Sequence, residues 1–185
     1  MTMIRFIKKL FTTAVTFALL VSFGYFVVLP RVLPLEYQDS VEKYAAVYGL
    51  EKSLVNGVIF AESHFEPDAV SVAGAKGLMQ VTDETGWWAA EQMGLSADTV
   101  DLTDPDTNIR IGCWYLNWLL EKFDGTTETA LAGYNAGHGN VTKWLANEEM
   151  SADGITLEEI PYDETKTYVK KVRLAQLAYR FIYRQ

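Results

Sequence analysis

The sequence predicts a mainly α-helical domain preceded by a single N-terminal membrane-spanning helix, and three observations carry that reading. An uncharged run of twenty residues extends from Leu10 to Leu29. Beyond it, apolar residues recur at spacings of three and four through most of the chain, and few segments alternate apolar with polar as strands would.

The apolar run comes first. At about 1.5 Å per helical residue, twenty residues reach roughly 30 Å, the thickness of a bilayer's hydrocarbon. Arg5, Lys8 and Lys9 precede the run and favour a cytoplasmic N-terminus, with the rest of the chain outside. A cleaved signal peptide is the alternative. Its apolar region is usually shorter and ends in small residues, whereas Tyr25, Phe26, Val27, Val28, Leu29 and Pro30 close this one. Residues 1–35 are therefore read as a cytoplasmic tip and transmembrane anchor, and residues 36–185 as one domain large enough to bury its own core.

Within that domain the first helix is expected near 37–48 and the second near 51–64, where Leu54, Val55, Val58, Ile59 and Glu62 share one stripe. Glu62 is out of character there. A carboxyl held against apolar surface loses hydration, which disfavours its charged form and makes it a candidate general acid near neutrality. The same spacing is compatible with a helix ending at Glu62, its side chain reaching water or pairing with Lys52 or Lys76.

Residues 63–86 read as a loop. Gly74 and Gly77 allow sharp turns or close approach to a ligand, and the Gln80 amide can both donate and accept; on glycine content alone an ordinary turn before a short helix is the preferred reading. The third helix spans about 106–123, with Asp104 as N-cap and Pro105 in its first turn, and Ile109, Cys113, Leu116, Leu120 and Phe123 make it the central buried one. Further helices are expected at 127–135, 139–147 and 165–183. Gly137 and Gly139 serve as a cap and a restart, and Tyr168, Val169, Val172, Ala175 and Tyr179 lie on one side of the last helix.

Charge narrows the function. Residues 36–185 hold twelve basic and twenty-four acidic residues, a formal charge of −12. Nucleic-acid binding, which needs a basic footprint, is excluded as a leading reading, and the net charge is poorly suited to adhesion on anionic lipid. With Cys113 as the only cysteine and His64 and His138 far apart, no intrachain disulfide can form and no metal-ligand spacing occurs. Trp87, Trp88, Trp114, Tyr115, Trp118 and Trp144 invite a sugar-stacking role, yet on helices such residues are more often core, so at most one or two are expected in a cleft.

Four motifs then occur in order: Glu62-Ser63, Gly77-Leu78-Met79-Gln80, Tyr134-Asn135-Ala136-Gly137, and Ile160 through Thr165 followed by Tyr168-Val169. Their order and separations resemble the catalytic domain of the soluble-lytic-transglycosylase family, from about Tyr37 to Tyr183. The resemblance implies a lysozyme-like α fold, similar to goose-type lysozymes. It implies that Glu62 is the catalytic acid/base, and that Ser71, Gln80, Tyr134, Asn135, Glu164 and, more loosely, Tyr168 contact or position the substrate. Gly133 stands where the family usually has alanine, and Thr82-Asp83 where many members have methionine and proline; the second departure bears on the sugar-contacting surface there.

The implied reaction cleaves the β-1,4 bond between N-acetylmuramic acid and N-acetylglucosamine without water, giving a 1,6-anhydromuramyl end with no metal or cofactor. A single acid suffices for this, whereas ordinary glycoside hydrolysis uses two carboxylates. The implied partners are peptidoglycan strands and, through the anchor, the bacterial cell membrane; the catalytic domain is extracytoplasmic and tethered by only Pro30 to about Gln38. Wall remodelling, strand trimming or clearing a passage for an envelope complex follow as roles. The competing readings are a hydrolytic muramidase with Glu164 as second acid, a catalytically inert wall-binding module, and a chitinase-like enzyme.

Overall fold

The structure, a computed structural model, describes residues 2–96 and 100–184 and divides into two units, one through Leu35 and one from Glu36 onward. The first unit is a helix α1 (Thr2–Phe23), a π-helical turn (Gly24–Val28) and a short α2 (Leu29–Val32). Pro30 has no N–H to give to the preceding turn, and the widened turn sits where that hydrogen bond is lost. The apolar side chains point outward all round: Phe6, Leu10, Phe17 and Leu20 are each more than 60% exposed. The Thr12 and Thr13 hydroxyls donate to the Lys9 carbonyl at 2.9 Å each, so that these polar groups are satisfied within the helix. By length and composition the Arg5–Val32 stretch can cross a membrane.

The second unit is mainly α, as expected. Its helices are α3 (Gln38–Val47), α4 (Lys52–Glu62), α5 (Asp83–Gln92), α6 (Pro105–Lys122), α7 (Thr127–Ala136), α8 (His138–Leu145) and α9 (Asp163–Ile182). Among the described residues there is no strand, only isolated antiparallel bridges of Lys76 with Val70 and Val81. Helix α6 is the central one: Ile109, Ile111, Cys113, Leu116 and Leu119 are fully buried, and Asp104 caps it by accepting from the Thr107 N–H at 2.8 Å. Helix α4 lies along α9 at the closest approach glycine allows. A Cβ on Gly57 would sit 3.0 Å from the Val172 carbonyl oxygen and 3.1 Å from the Gln176 nitrogen.

Two elements differ from the sequence reading. The expected loop 63–86 ends early, because Thr82 accepts from the Thr85 N–H and opens α5, the short helix that the ordinary-turn reading allowed without giving it bounds. Helix α9 begins at Asp163 rather than 165, placing Asp163 and Glu164 in its first turn, where acidic side chains complement the helix dipole. The break between α7 and α8 falls at Gly137, whose φ of 84° only glycine adopts without strain.

Candidate active site

Helix α4 delivers Glu62 at its last residue, with Val55, Val58 and Ile59 of the same stripe fully buried and Glu62 itself half-buried. The neighbouring Ser63 fixes that helix end. Its hydroxyl, buried, donates to the Leu78 carbonyl at 2.8 Å, tying α4 to the loop that follows. The alternative partners for Glu62 are taken: Lys52 pairs with Glu42 at 3.2 Å and Lys76 with Asp83 at 2.7 Å.

The loop from Ala69 to Thr82 is held from within and from beneath. Lys76 and Val81 exchange backbone hydrogen bonds at 3.0 Å, and the Ser71 N–H donates to the Ala75 carbonyl at 2.9 Å. Beneath it, fully buried Asn108 of α6 accepts from the Met79 N–H at 2.8 Å and donates to the Lys76 and Leu102 carbonyls at 2.8 and 2.9 Å. Every polar atom of that side chain is used, so the loop cannot shift without leaving a buried amide unpaired. Gly77 makes the arrangement sterically feasible, since a Cβ there would lie 2.4 Å from the Asn108 amide nitrogen.

The result is a hollow of about 410 Å³ lined by Glu62, Ser71, Gln80, Tyr134, Asn135 and Glu164 together with Val72, Ala73, Ala75 and Thr82. Six of the seven sequence-derived site residues therefore meet in one depression. Several, however, spend polar groups on the fold. The Gln80 amide nitrogen donates to the Ala69 and Gly77 carbonyls at 3.0 and 2.9 Å. The Tyr134 hydroxyl donates to the Met79 carbonyl at 2.9 Å rather than to Glu62, and the Asn135 side-chain oxygen accepts from the Thr165 hydroxyl at 2.7 Å rather than capping the backbone. The Ser71 oxygen accepts from the Ala75 N–H at 3.0 Å, leaving its proton to give. Glu164 is exposed, on the first turn of α9.

Tyr168 is the seventh, and it does not line the hollow. It is buried behind Glu62, and its hydroxyl makes no hydrogen bond of regular geometry among the described residues, although it approaches the Glu62 carboxyl closely enough to bias that proton. Burial dominates the carboxyl's chemistry and pushes its pKa from 4.5 up to about 7, against the opposing pull of the Tyr168 hydroxyl and the Lys171 ammonium. Lys171 is fixed on α9 by donating to the Ala61 carbonyl at 2.8 Å. Asn108 and Lys171 were not singled out from the sequence, and Ser63 and Thr165 entered it only as motif members with no role assigned. Of the two that were missed, only Asn108 carried a signal there, as a polar residue beside an apolar stripe.

The hollow continues into two further depressions of about 240 Å³ each, through shared Gln80, Thr82, Tyr134 and Asn135 and then Thr85 and Tyr115, ending against Trp88 and His138. One tryptophan thus reaches the groove; Trp144 is buried. A larger depression of about 770 Å³ lies between the α3–α4 turn, α6 and α9, where Glu51 accepts from Arg180 at 3.4 Å and from Gln176 at 3.1 Å and Arg173 pairs with Glu128 at 3.0 Å. It holds no sheltered titratable group. No group of three His, Cys, Asp or Glu side chains suited to a metal ion occurs among the described residues.

Comparison with known proteins places this geometry. The transglycosylase SLT domain family matches residues 39–155, a span that includes Glu62, Ser71, Gln80, Tyr134 and Asn135 but stops short of Glu164 and Tyr168. The chain is 34% identical over 151 residues to the soluble lytic murein transglycosylase of Escherichia coli, covering 80% of this chain and 23% of that protein. It is 32% identical over 168 residues to membrane-bound lytic murein transglycosylase C of Haemophilus influenzae, covering 78% of this chain and 47% of that one. Among solved structures, an inactive glutamate-to-glutamine mutant of the lytic transglycosylase Slt from Pseudomonas aeruginosa superposes with a TM-score of 0.72 at 32% identity, over 82% of this chain and 25% of that one. The chain thus spans about a quarter of the length of the soluble relatives it matches.

Proposed function

The chain belongs to the transglycosylase SLT family, and from that membership we propose that it is a membrane-anchored lytic transglycosylase of peptidoglycan with Glu62 as its single acid/base. One observation carries the reading: a half-buried carboxyl whose pKa of about 7 keeps a large share of it protonated at neutral pH, in a hollow between two walls of hydrogen-bonding groups.

Glu62 gives its proton to the glycosidic oxygen as the bond from the muramic anomeric carbon breaks, and the muramic acetamido oxygen stabilises the cation that develops. The carboxylate left behind takes the proton of the same sugar's 6-hydroxyl as that oxygen attacks the anomeric carbon. The acid is thereby regenerated and no water enters the product. Ser71, with a hydroxyl proton to spare, orients the acetamido group; Gln80, its nitrogen committed to the loop, offers its oxygen to a sugar hydroxyl. Tyr134 and Asn135 build the far wall, and Tyr168 holds Glu62 from behind.

A hydrolytic muramidase is the second reading, because Glu164 lines the same hollow as Glu62 and supplies the further carboxylate that hydrolysis uses. The two separate by product. Purified sacculi digested with the detergent-solubilised chain yield anhydromuramyl ends, lighter by one water than the reducing ends a hydrolase leaves, and mass spectrometry distinguishes them. Glu62→Gln keeps the side chain's shape but removes its proton, and turnover falls by about 10² to 10³-fold or more. The inactive glutamine mutant of the Pseudomonas aeruginosa relative supports that expectation. Ser71→Ala costs less, and Lys143→Ala, exposed on α8, almost nothing. A fully active Glu62→Gln protein overturns the assignment.

Anchoring is proposed on the apolar Arg5–Val32 stretch and supported by membrane-bound relatives. Its orientation, single-pass with the catalytic domain outside, rests on the basic residues that precede it.

A further inference from the structure

Helix α9 has two apolar faces, and the fold uses one. Tyr168, Val172, Ala175 and Tyr179 face the core. Roughly opposite, at about 100° per residue, Leu174, Leu177 and Phe181 recur at i, i+3 and i+7 and are 69%, 45% and 78% exposed. An in-register row of large apolar side chains on a surface helix marks something that covers it.

The charge around the row identifies what. The segment 163–185 holds six of the twelve basic residues of 36–185 but only two of the twenty-four acidic ones, Asp163 and Glu164. Arg173 and Arg180 are paired with Glu128 and Glu51. Lys166, Lys170 and Arg184, which flank the row, are exposed and pair with no carboxylate among the described residues. A second copy of the chain would set these cations against each other, so the face is not complementary to itself. It is complementary to a lipid surface carrying anionic headgroups: leucine and phenylalanine reach the boundary of headgroup and acyl chain, while lysine and arginine stems extend to the phosphates.

We propose that the outward face of α9, built on Leu174, Leu177, Phe181, Lys166 and Lys170 and extended past the helix end by Arg184, docks on an anionic bilayer surface. The net charge of −12 beyond residue 35 conceals this, because twenty-two of its twenty-four acids lie outside the segment 163–185. The proposal is independent of Glu62 and rests on the anchor reading only for what brings the domain to a bilayer.

The test uses the full chain, one copy per nanodisc, with a fluorophore on a cysteine at Ala178→Cys beside the row or at Lys143→Cys on α8. Buried Cys113 stays unlabelled. With headgroup-quencher lipid in discs containing phosphatidylglycerol, the label at 178 is quenched at least about twofold more than the label at 143. The excess disappears in phosphatidylcholine discs, at about 0.5 M salt, and in Lys170→Glu/Arg184→Glu chains that unfold at an unchanged temperature. Equal quenching at the two positions, or an excess indifferent to lipid charge, overturns the proposal. So does a response at 178 seen only with two chains per disc, which assigns the face to a second copy. A chain that fails to enter discs counts against the anchor instead, and the same two labels are then read on vesicles of the same lipids.

Discussion

A carboxyl group that keeps its proton to about pH 7 in the folded chain, against 4.5 when free, couples stability to pH in a definite direction. Between those two values the folded state binds more protons than the unfolded one, so stability is lost as pH rises through the window. Glu62→Gln has no charge to bury and escapes that loss. Its stability advantage over the parent chain therefore grows by about 2 kcal/mol between pH 5 and pH 8, read from thermal unfolding at the two values, and a constant difference would show that Glu62 is not sheltered. With Glu62 as the proposed acid, the same carboxyl is expected to set the alkaline limb of kcat/KM. Tyr168 and Lys171 both favour its ionised form, so Tyr168→Phe and Lys171→Met each raise its pKa and move that limb to higher pH. A limb that stays in place or moves downward in both variants contradicts the geometry behind Glu62. Glu62 was legible in the sequence because a single acid broke an apolar stripe. Lys171 was not, since a lysine on an exposed stretch of α9 becomes relevant only when α4 packs against that helix and offers it the Ala61 carbonyl.

The elements differ in how openly the sequence declares them. Helices α4, α6 and α9 each carry apolar residues at three- and four-residue spacing, over about two turns in α4 and at least three in α6 and α9, and α6 adds a capping aspartate and a first-turn proline. Helix α5 is shorter, contains Gly86, and presents Trp87 to solvent, so no stripe reveals it; its one local signal is the Thr82 cap. The loop between α4 and α5 was legible in composition but not in shape, because its conformation is dictated from across the fold by Asn108. Gly77 tests that dependence. With φ at 72° and Asn108 and the Leu102 carbonyl 2.4 and 2.8 Å from a would-be Cβ, Gly77→Ala destabilises by about 2–4 kcal/mol and lowers activity with it. Gly125→Ala has a similar φ of 77° but open space around the Cβ, and costs about 1 kcal/mol with activity intact. Chemical denaturation of the two variants side by side separates backbone strain from collision. Gly133, where the family usually has alanine, has a related local cause: a Cβ would lie 2.8 Å from the Phe123 ring.

At the scale of the whole molecule, the residues that make the hollow, its supporting Asn108 and Lys171, and the core of α6 all belong to the unit that begins at Glu36. On the proposed function, chemistry and placement belong to separate stretches of sequence, and truncation is expected to separate them. A chain beginning at Glu36 is expected to unfold within about 2 °C of the full chain in the same detergent, since burial within one cooperative unit sets that temperature. It should cleave soluble glycan fragments at the full chain's rate, and it should leave the membrane pellet after an alkaline carbonate wash that the full chain survives. On intact sacculi beside a bilayer the full chain gains what tethering provides, a raised local concentration over a reach limited to about 3.5 Å per linker residue. Lengthening the linker after Leu35 with glycine and serine widens that reach and leaves turnover on soluble fragments unchanged. If truncation instead slows cleavage of soluble fragments, the N-terminal stretch takes part in the site itself and the division of labour argued here is wrong.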